Sequence, residues 1–124
     1  MKVIHKSDVP EAPVDENNFV LPATMQRLLG REDGQPVRIY RVAFDEGART
    51  HWHQHDDVQV LFGLSGTCVV VDRAGVELSL SDGDIVVIDA NEEHWHGAAP
   101  GTAGSHLAIN SGEETTWLES SARE

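Results

Sequence analysis

Gly47-Ala48-Arg49-Thr50-His51-Trp52-His53-Gln54-His55-Asp56-Asp57-Val58-Gln59, with Gly66 following, is the stretch on which the reading of the fold turns. Three histidines occupy alternate positions, and a glutamine stands four residues after the last of them. Alternate side chains of an extended backbone point to the same side. His51, His53, His55 and Gln59 can therefore share one face of a strand. Neutral imidazole is the commonest protein ligand for transition metals, so the stretch reads as half of a metal site.

Outward from this stretch the β pattern covers most of the chain. Short runs rich in Val, Ile, Leu and Phe predict strands over 37–44, 49–55, 58–64, 67–72, 76–80, 84–89, 94–97 and 105–110. The breaks carry turn chemistry: Asp45-Glu46-Gly47, Ser65-Gly66, Arg73-Ala74-Gly75, Asp82-Gly83 and Pro100-Gly101. Short strands at this spacing, with almost no helical periodicity, imply an all-β sandwich, jelly roll or barrel. Residues 1–36, interrupted by Pro10, Pro13, Pro22 and Pro36, read as an irregular arm lying over the barrel or a neighbouring subunit. One helical turn is expected over 24–29, ended by Gly30. After Gly112 the chain is acidic and polar except for Trp117 and Leu118, which are expected to pack the tail back on the body. The whole is read as one domain, 1–124, with an arm (1–36), a barrel core (37–110) and a tail (111–124).

Composition narrows the function classes. Hydrophobic residues make up 40% and charged residues 24%, which is ordinary for a globular protein. The net charge of −12 argues against nucleic acid and anionic membranes as partners, because both need basic patches. No apolar run is long enough for a membrane span. The first residues hold no apolar signal core, and the lone Cys68 fits a reducing compartment, so the cytoplasm is the expected location. Cys68 itself reads as a small buried hydrophobe. There is no Ser-His-Asp pattern, no phosphate-cradling glycine loop and no Cys-x-x-Cys spacing, and Asp56-Asp57 and Glu92-Glu93 read as loop charges.

A second half of the site lies downstream. His94 and His96 flank Trp95 and so face one way; His106, Ala108 and Asn110 share a face opposite Leu107 and Ile109. Tyr40, Val42 and Phe44 form a further row. In a small barrel these rows converge on an interior able to hold one small ligand. Trp52 and Trp95 point away from the histidines, towards packing or subunit contacts.

Gly47, His53-x-His55, Gln59 and Gly66 at these intervals resemble the first motif of the cupins, with Gln59 where most members carry Glu. Gly83 followed by Asp89-Ala90-Asn91-Glu92-Glu93-His94 resembles the second motif, with Asp89 and Asn91 in place of Pro and Gly and Ala98 in place of a terminal Asn. Sixteen residues separate Gly66 from Gly83, as in short bacterial members. Three further blocks are similar to the small manganese cupins that include bacterial hydroxynitrile lyases: Phe44-Asp45-Glu46-Gly47-Ala48-Arg49-Thr50, Trp52-His53-Gln54-His55, and His94-Trp95-His96-Gly97-Ala98-Ala99-Pro100 with Ser105-His106-Leu107-Ala108-Ile109. The resemblance implies a cupin β-barrel, metal ligands at His53, His55, Gln59 and His94, and acid–base or orienting roles for His96 and His106. It also implies a homodimer or homotetramer, and apolar residues on both faces of 60–64 suggest an edge or face buried against another subunit. Tyr40, Val42 and Asn110 are the expected pocket wall. His51 and Tyr40 are larger than the residues expected at their positions, so both narrow or re-aim the pocket; His51 reads equally as a rim residue.

Imidazoles and an amide oxygen suit Mn2+, Fe2+, Co2+, Ni2+ or Zn2+, and the resemblance favours Mn2+. With Gln59 replacing a carboxylate the ligand set is neutral and the ion keeps its full charge, which favours anionic or readily deprotonated small-molecule ligands and Lewis-acid work. The leading expectation is a metal-dependent lyase that cleaves or forms a C–C bond in a small hydroxy compound. The alternatives are a metal-dependent dioxygenase acting on an enolisable or aromatic substrate, and a non-catalytic binder of a small acid or sugar.

Overall fold

The computed structural model of the protein describes residues 1–122. Its elements are β1 (Ala12–Pro13), β2 (Phe19–Val20), β3 (Ala23–Leu29), β4 (Arg38–Phe44), β5 (Arg49–Thr50), β6 (His53–His55), β7 (Gln59–Asp72), β8 (Glu77–Ser81), β9 (Ile85–Ile88), β10 (His94–Ala98), β11 (Gly104–Asn110) and β12 (Thr115–Trp117), with 3-10 turns at Lys6–Asp8 and Arg31–Asp33. All pairings are antiparallel and link the strands into one curled sheet. No helix among the described residues is long and apolar enough to cross a membrane.

The organising element is β7, a single strand where the turn-forming Ser65-Gly66 predicts a break. Its first half pairs with β11 and β9, and its second half with β10 and β8. Two devices bend the strand without ending it. Against β11, Ser65 pairs with Ser105 but Gly63 with His106, so Leu64 is an extra residue, a bulge that increases local twist. Gly66 then adopts φ 58°, and a Cβ there would run into the carbonyl oxygen of Ala103. The same chain thus leaves one layer and enters the other, and the layers face each other across the core.

The arm differs from expectation. Residues 23–29 form strand β3, not a helical turn, and pair with β4 along its length, with an irregularity between Arg27 and Leu29. A lone helical turn has a costly nucleus, whereas the open edge of β4 offers a row of backbone groups that need partners. β1 then pairs with β3, and β2 with β5. The tail is likewise ordered, with β12 lying along β6.

The interior holds Val42, Phe44, Leu61, Cys68, Val70, Leu80, Val86, Ile88, Ala98 and Ala108, joined by Phe19 and Val14 from the arm. Burial pushes the Cys68 thiol up to about 12, the behaviour of an inert packing residue. On the outside, Trp52 lies under Arg73 at 3.9 Å and Trp95 under Arg49 at 4.7 Å, each aromatic face covered by a guanidinium. The outer face of 60–64 continues through Ile109 and Ile39 on one side and Val87 on the other. Gly66→Ala is expected to lower stability by more than about 1 kcal/mol, through both strain and collision. Thermal unfolding would register this as a drop in Tm of more than about 4 °C; an unchanged Tm would remove the bend from among the constraints of the fold.

Candidate metal centre

Adjacent strands bring the histidines together in rows. His53 of β6 pairs with His94 of β10, and Trp117 of β12 pairs with His53. His55, two residues on, pairs with Thr115. On the facing layer, Gln59 of β7 pairs with Asn110 of β11, and four residues earlier on β11 His106 pairs with Val42 of β4. His53, His55, Gln59, His94, His96 and His106 are all buried, His106 completely.

What each imidazole offers is set by its other nitrogen. Nδ1 of His53 donates to the carbonyl of His51 at 2.9 Å, and Nδ1 of His94 donates to the carbonyl of Glu92 at 2.8 Å. A carbonyl only accepts, so in the neutral ring Nδ1 carries the hydrogen and Nε2 keeps its lone pair. Nδ1 of His55 meets the hydroxyl of Thr115 at 2.9 Å, and its buried Nε2 has no partner at hydrogen-bond geometry among the described residues. Nε2 of His94 lies 3.0 Å from Oε1 of Gln59. With the Gln59 amide in this orientation, and given the His94 tautomer, two lone-pair atoms face each other, a contact that a cation relieves. Neighbouring ligands of one octahedral ion at about 2.1 Å stand about 3.0 Å apart. The donor set therefore fits a metal.

His96 adds an option that sequence spacing does not single out. Ligand nitrogens of His53, His94 and His96 lie within 4.8 Å of one another, so this three-histidine group could hold an ion. The ring of His53 is 4.3 Å from His94, 5.0 Å from His55 and 5.2 Å from His96, which puts it at the centre of the cluster. Nδ1 of His96, however, is engaged with Nε2 of His106 at 3.0 Å. The backbone N–H of His96 is held by Oγ1 of Thr50 at 3.1 Å.

Burial lowers the pKa of all five histidines, and it is the largest cause for each; His55 and His106 fall to about 4. At neutral pH the cluster is uncharged, the form in which imidazole binds metals.

A cavity of about 430 Å³ opens onto the cluster. It reaches His53, His55, Gln59 and His96, and Tyr40, Val42 and Asn110 line it together with Met25 and Ala108. His106 is not among the lining residues; it sits behind His96, in ring contact with Phe44 at 5.4 Å. His51 enters through its carbonyl, which orients His53, while its ring lies outside the cavity lining.

Sequence reasoning missed two contributors. Thr115 fixes His55, and Trp117 packs against His53 with ring centroids 4.6 Å apart and planes tilted by 35°. The isolated Trp117 in an acidic tail was the available signal. Asp56, read as a loop charge, holds the tail by accepting the N–H groups of Glu113 and Glu114 at 3.0 and 3.2 Å. Asn91 takes φ 63°, a left-handed turn that Asn tolerates better than most residues, and its N–H donates to the carbonyl of His55. That explains how Asn serves at a position where the motif carries Gly.

Comparison with known proteins agrees with the fold. The family model described as "Cupin domain" matches residues 40–110. The chain is 41% identical over 81 residues to an (R)-mandelonitrile lyase of Granulicella tundricola, a match covering 63% of this chain and 62% of that protein. A cupin-like protein from Thermotoga maritima superposes with a TM-score of 0.85 at 32% identity, covering 90% of this chain and 86% of the other. A polyketide cyclase from Streptomyces resistomycificus shares the fold, with a TM-score of 0.76 at 22% identity over 88% of this chain and 78% of its own. With the motifs, the barrel and the family match in accord, the chain belongs to the cupin domain family and resembles its small hydroxynitrile lyases.

Proposed function

We propose that the protein is a metal-dependent lyase that cleaves or forms a C–C bond in a small hydroxy compound, in the manner of a hydroxynitrile lyase. One observation carries this reading: His96, a member of the three-histidine group that could hold a metal, lines the cavity and is hydrogen-bonded to His106 behind it. Identity to a mandelonitrile lyase supports it. His53, His55, Gln59 and His94 are the proposed ligands, and Mn2+ the proposed ion. His96 is left out because its Nδ1 partner, His106, gives the pair a proton to share.

A bound ion supplies Lewis acidity that polarises an oxygen of the substrate. The chain does the rest. With Nδ1 of His96 committed to His106, Nε2 is the nitrogen left to take the hydroxyl proton. As it does so, the shared proton can pass from Nδ1 of His96 to Nε2 of His106. Desolvation makes an imidazolium here a strong acid, so the proton is returned readily to the departing carbanion. Tyr40, Val42 and Ala108 exclude water around the substrate body.

Mn-loaded protein is expected to convert mandelonitrile to benzaldehyde, followed by ultraviolet absorbance, with activity lost on chelation and restored by Mn2+. Silence on cyanohydrins combined with O2 uptake on a diketone or catechol would replace the lyase reading by an oxygenase one. His94→Ala and His55→Ala should lose the metal by mass spectrometry, whereas His96→Ala retains it. Loss of metal in His96→Ala with retention in His55→Ala would transfer the ligand role. His106→Ala should keep its metal and lose about 100-fold or more in turnover.

Acid stability follows from the same burial. In the unfolded chain these histidines protonate near 6.5, while the folded, metal-free chain keeps His55 and His106 neutral down to about 4. Between those values the unfolded state binds more protons, so stability is complete above pH 6.5 and declines as the pH falls towards 4. Calorimetry of the chelated protein across this range should show Tm decreasing; a flat profile would contradict the buried, neutral cluster.

A further inference from the structure

Arg38 opens β4, and its Cα pairs with Asn110 of β11, whose other neighbour is Gln59 of β7. Directly opposed residues on adjacent strands project to the same side of a sheet. Arg38, Asn110 and Gln59 therefore make one row, and all three line the cavity. The guanidinium is only partly engaged. Its Nε donates to the carbonyl of Gly112 at 3.1 Å, while Nη2 is shielded from solvent and has no hydrogen-bond partner among the described residues. In the same row Oδ1 of Asn110 is also buried and unpartnered.

An unmet buried donor on a charged group is costly, more so than one on a neutral amide. Here the residues that carry an unmet cationic donor and an unmet acceptor both line one cavity, a pattern that a ligand completes. Local charge points the same way. The chain carries −12 overall, yet the cavity is lined by two arginines, Arg27 and Arg38, against one carboxylate, Asp15. An oxygen of Asp15 already accepts the N–H of Asn17, and Arg38 makes no ion pair among the described residues. A planar guanidinium matches the geometry of a carboxylate and makes strong, charge-assisted hydrogen bonds to it.

We propose that the cavity selects a small hydroxy compound that also carries a carboxylate, with Nη2 of Arg38 on that carboxylate. Arg38 is then a specificity-determining residue. The proposal rests on the cavity being the substrate site and names the class of substrate that site takes.

Calorimetric titration of the Mn-loaded protein with mandelate and with its neutral methyl ester tests it. Mandelate is expected to bind at least about tenfold more tightly, the scale of one charge-assisted hydrogen bond. Arg38→Met should abolish the preference at unchanged manganese content, and Arg38→Lys should retain part of it. The preference should also persist, weaker, in chelated protein. Equal binding of acid and ester by the parent protein overturns the proposal even if no variant folds. So does a preference that survives Arg38→Met, or one that disappears with the metal alone. The titration involves no turnover, so it can fail while mandelonitrile is still cleaved, and succeed where cleavage fails.

Discussion

A buried neutral imidazole has one lone pair to give, and the neighbour of its other nitrogen decides which atom gives it. The architecture around the site serves that constraint. The carbonyls of His51 and Glu92 belong to irregular backbone just before β6 and β10, and each lies two residues ahead of the histidine it orients. The short interval is useful, since the same local turn places the ring and fixes its tautomer. His55 lacks such a local partner and is held instead by Thr115, sixty residues away. Two of the three rings are thus set by their own strand entries, and the third depends on the tail being in place.

This division explains what was legible from the residues alone. Alternation along 51–59 and 94–96 places side chains on faces, because period-two geometry is local to a strand. Motif spacing then distinguished His53 and His55 from His51, whose contribution turned out to be a backbone atom that no residue-type argument selects. Tyr40, Val42 and Asn110 follow from the same parity, whereas nothing in residue type separates Arg38, on the same face of β4, from the other arginines of the chain.

The misses share a physical origin. The sequence Ser65-Gly66 has turn chemistry, yet whether it reverses a strand or only bends it depends on partners contributed by β10 and β11. Residues 23–29 have weak helical preference, and the unfilled edge of β4 outweighs it. Thr115 and Trp117 acquire meaning only against β6. In each case the deciding interaction is long-range pairing, which local pattern cannot carry.

The sharing of β7 between both layers has a consequence for how the molecule comes apart. Neither layer owns a complete set of strands, since the strand at the centre of one continues as the strand at the centre of the other. Peripheral strands such as β8 and β9 can fray singly, but removing β7 dissolves both layers at once. The fold therefore has no stable half, and global unfolding should be a single cooperative event rather than a sequence of two. With most contacts joining residues distant along the chain, reaching that state is slow compared with a helical protein of equal size. The histidines, distributed over β6, β10 and β11, come together only when this one transition is complete.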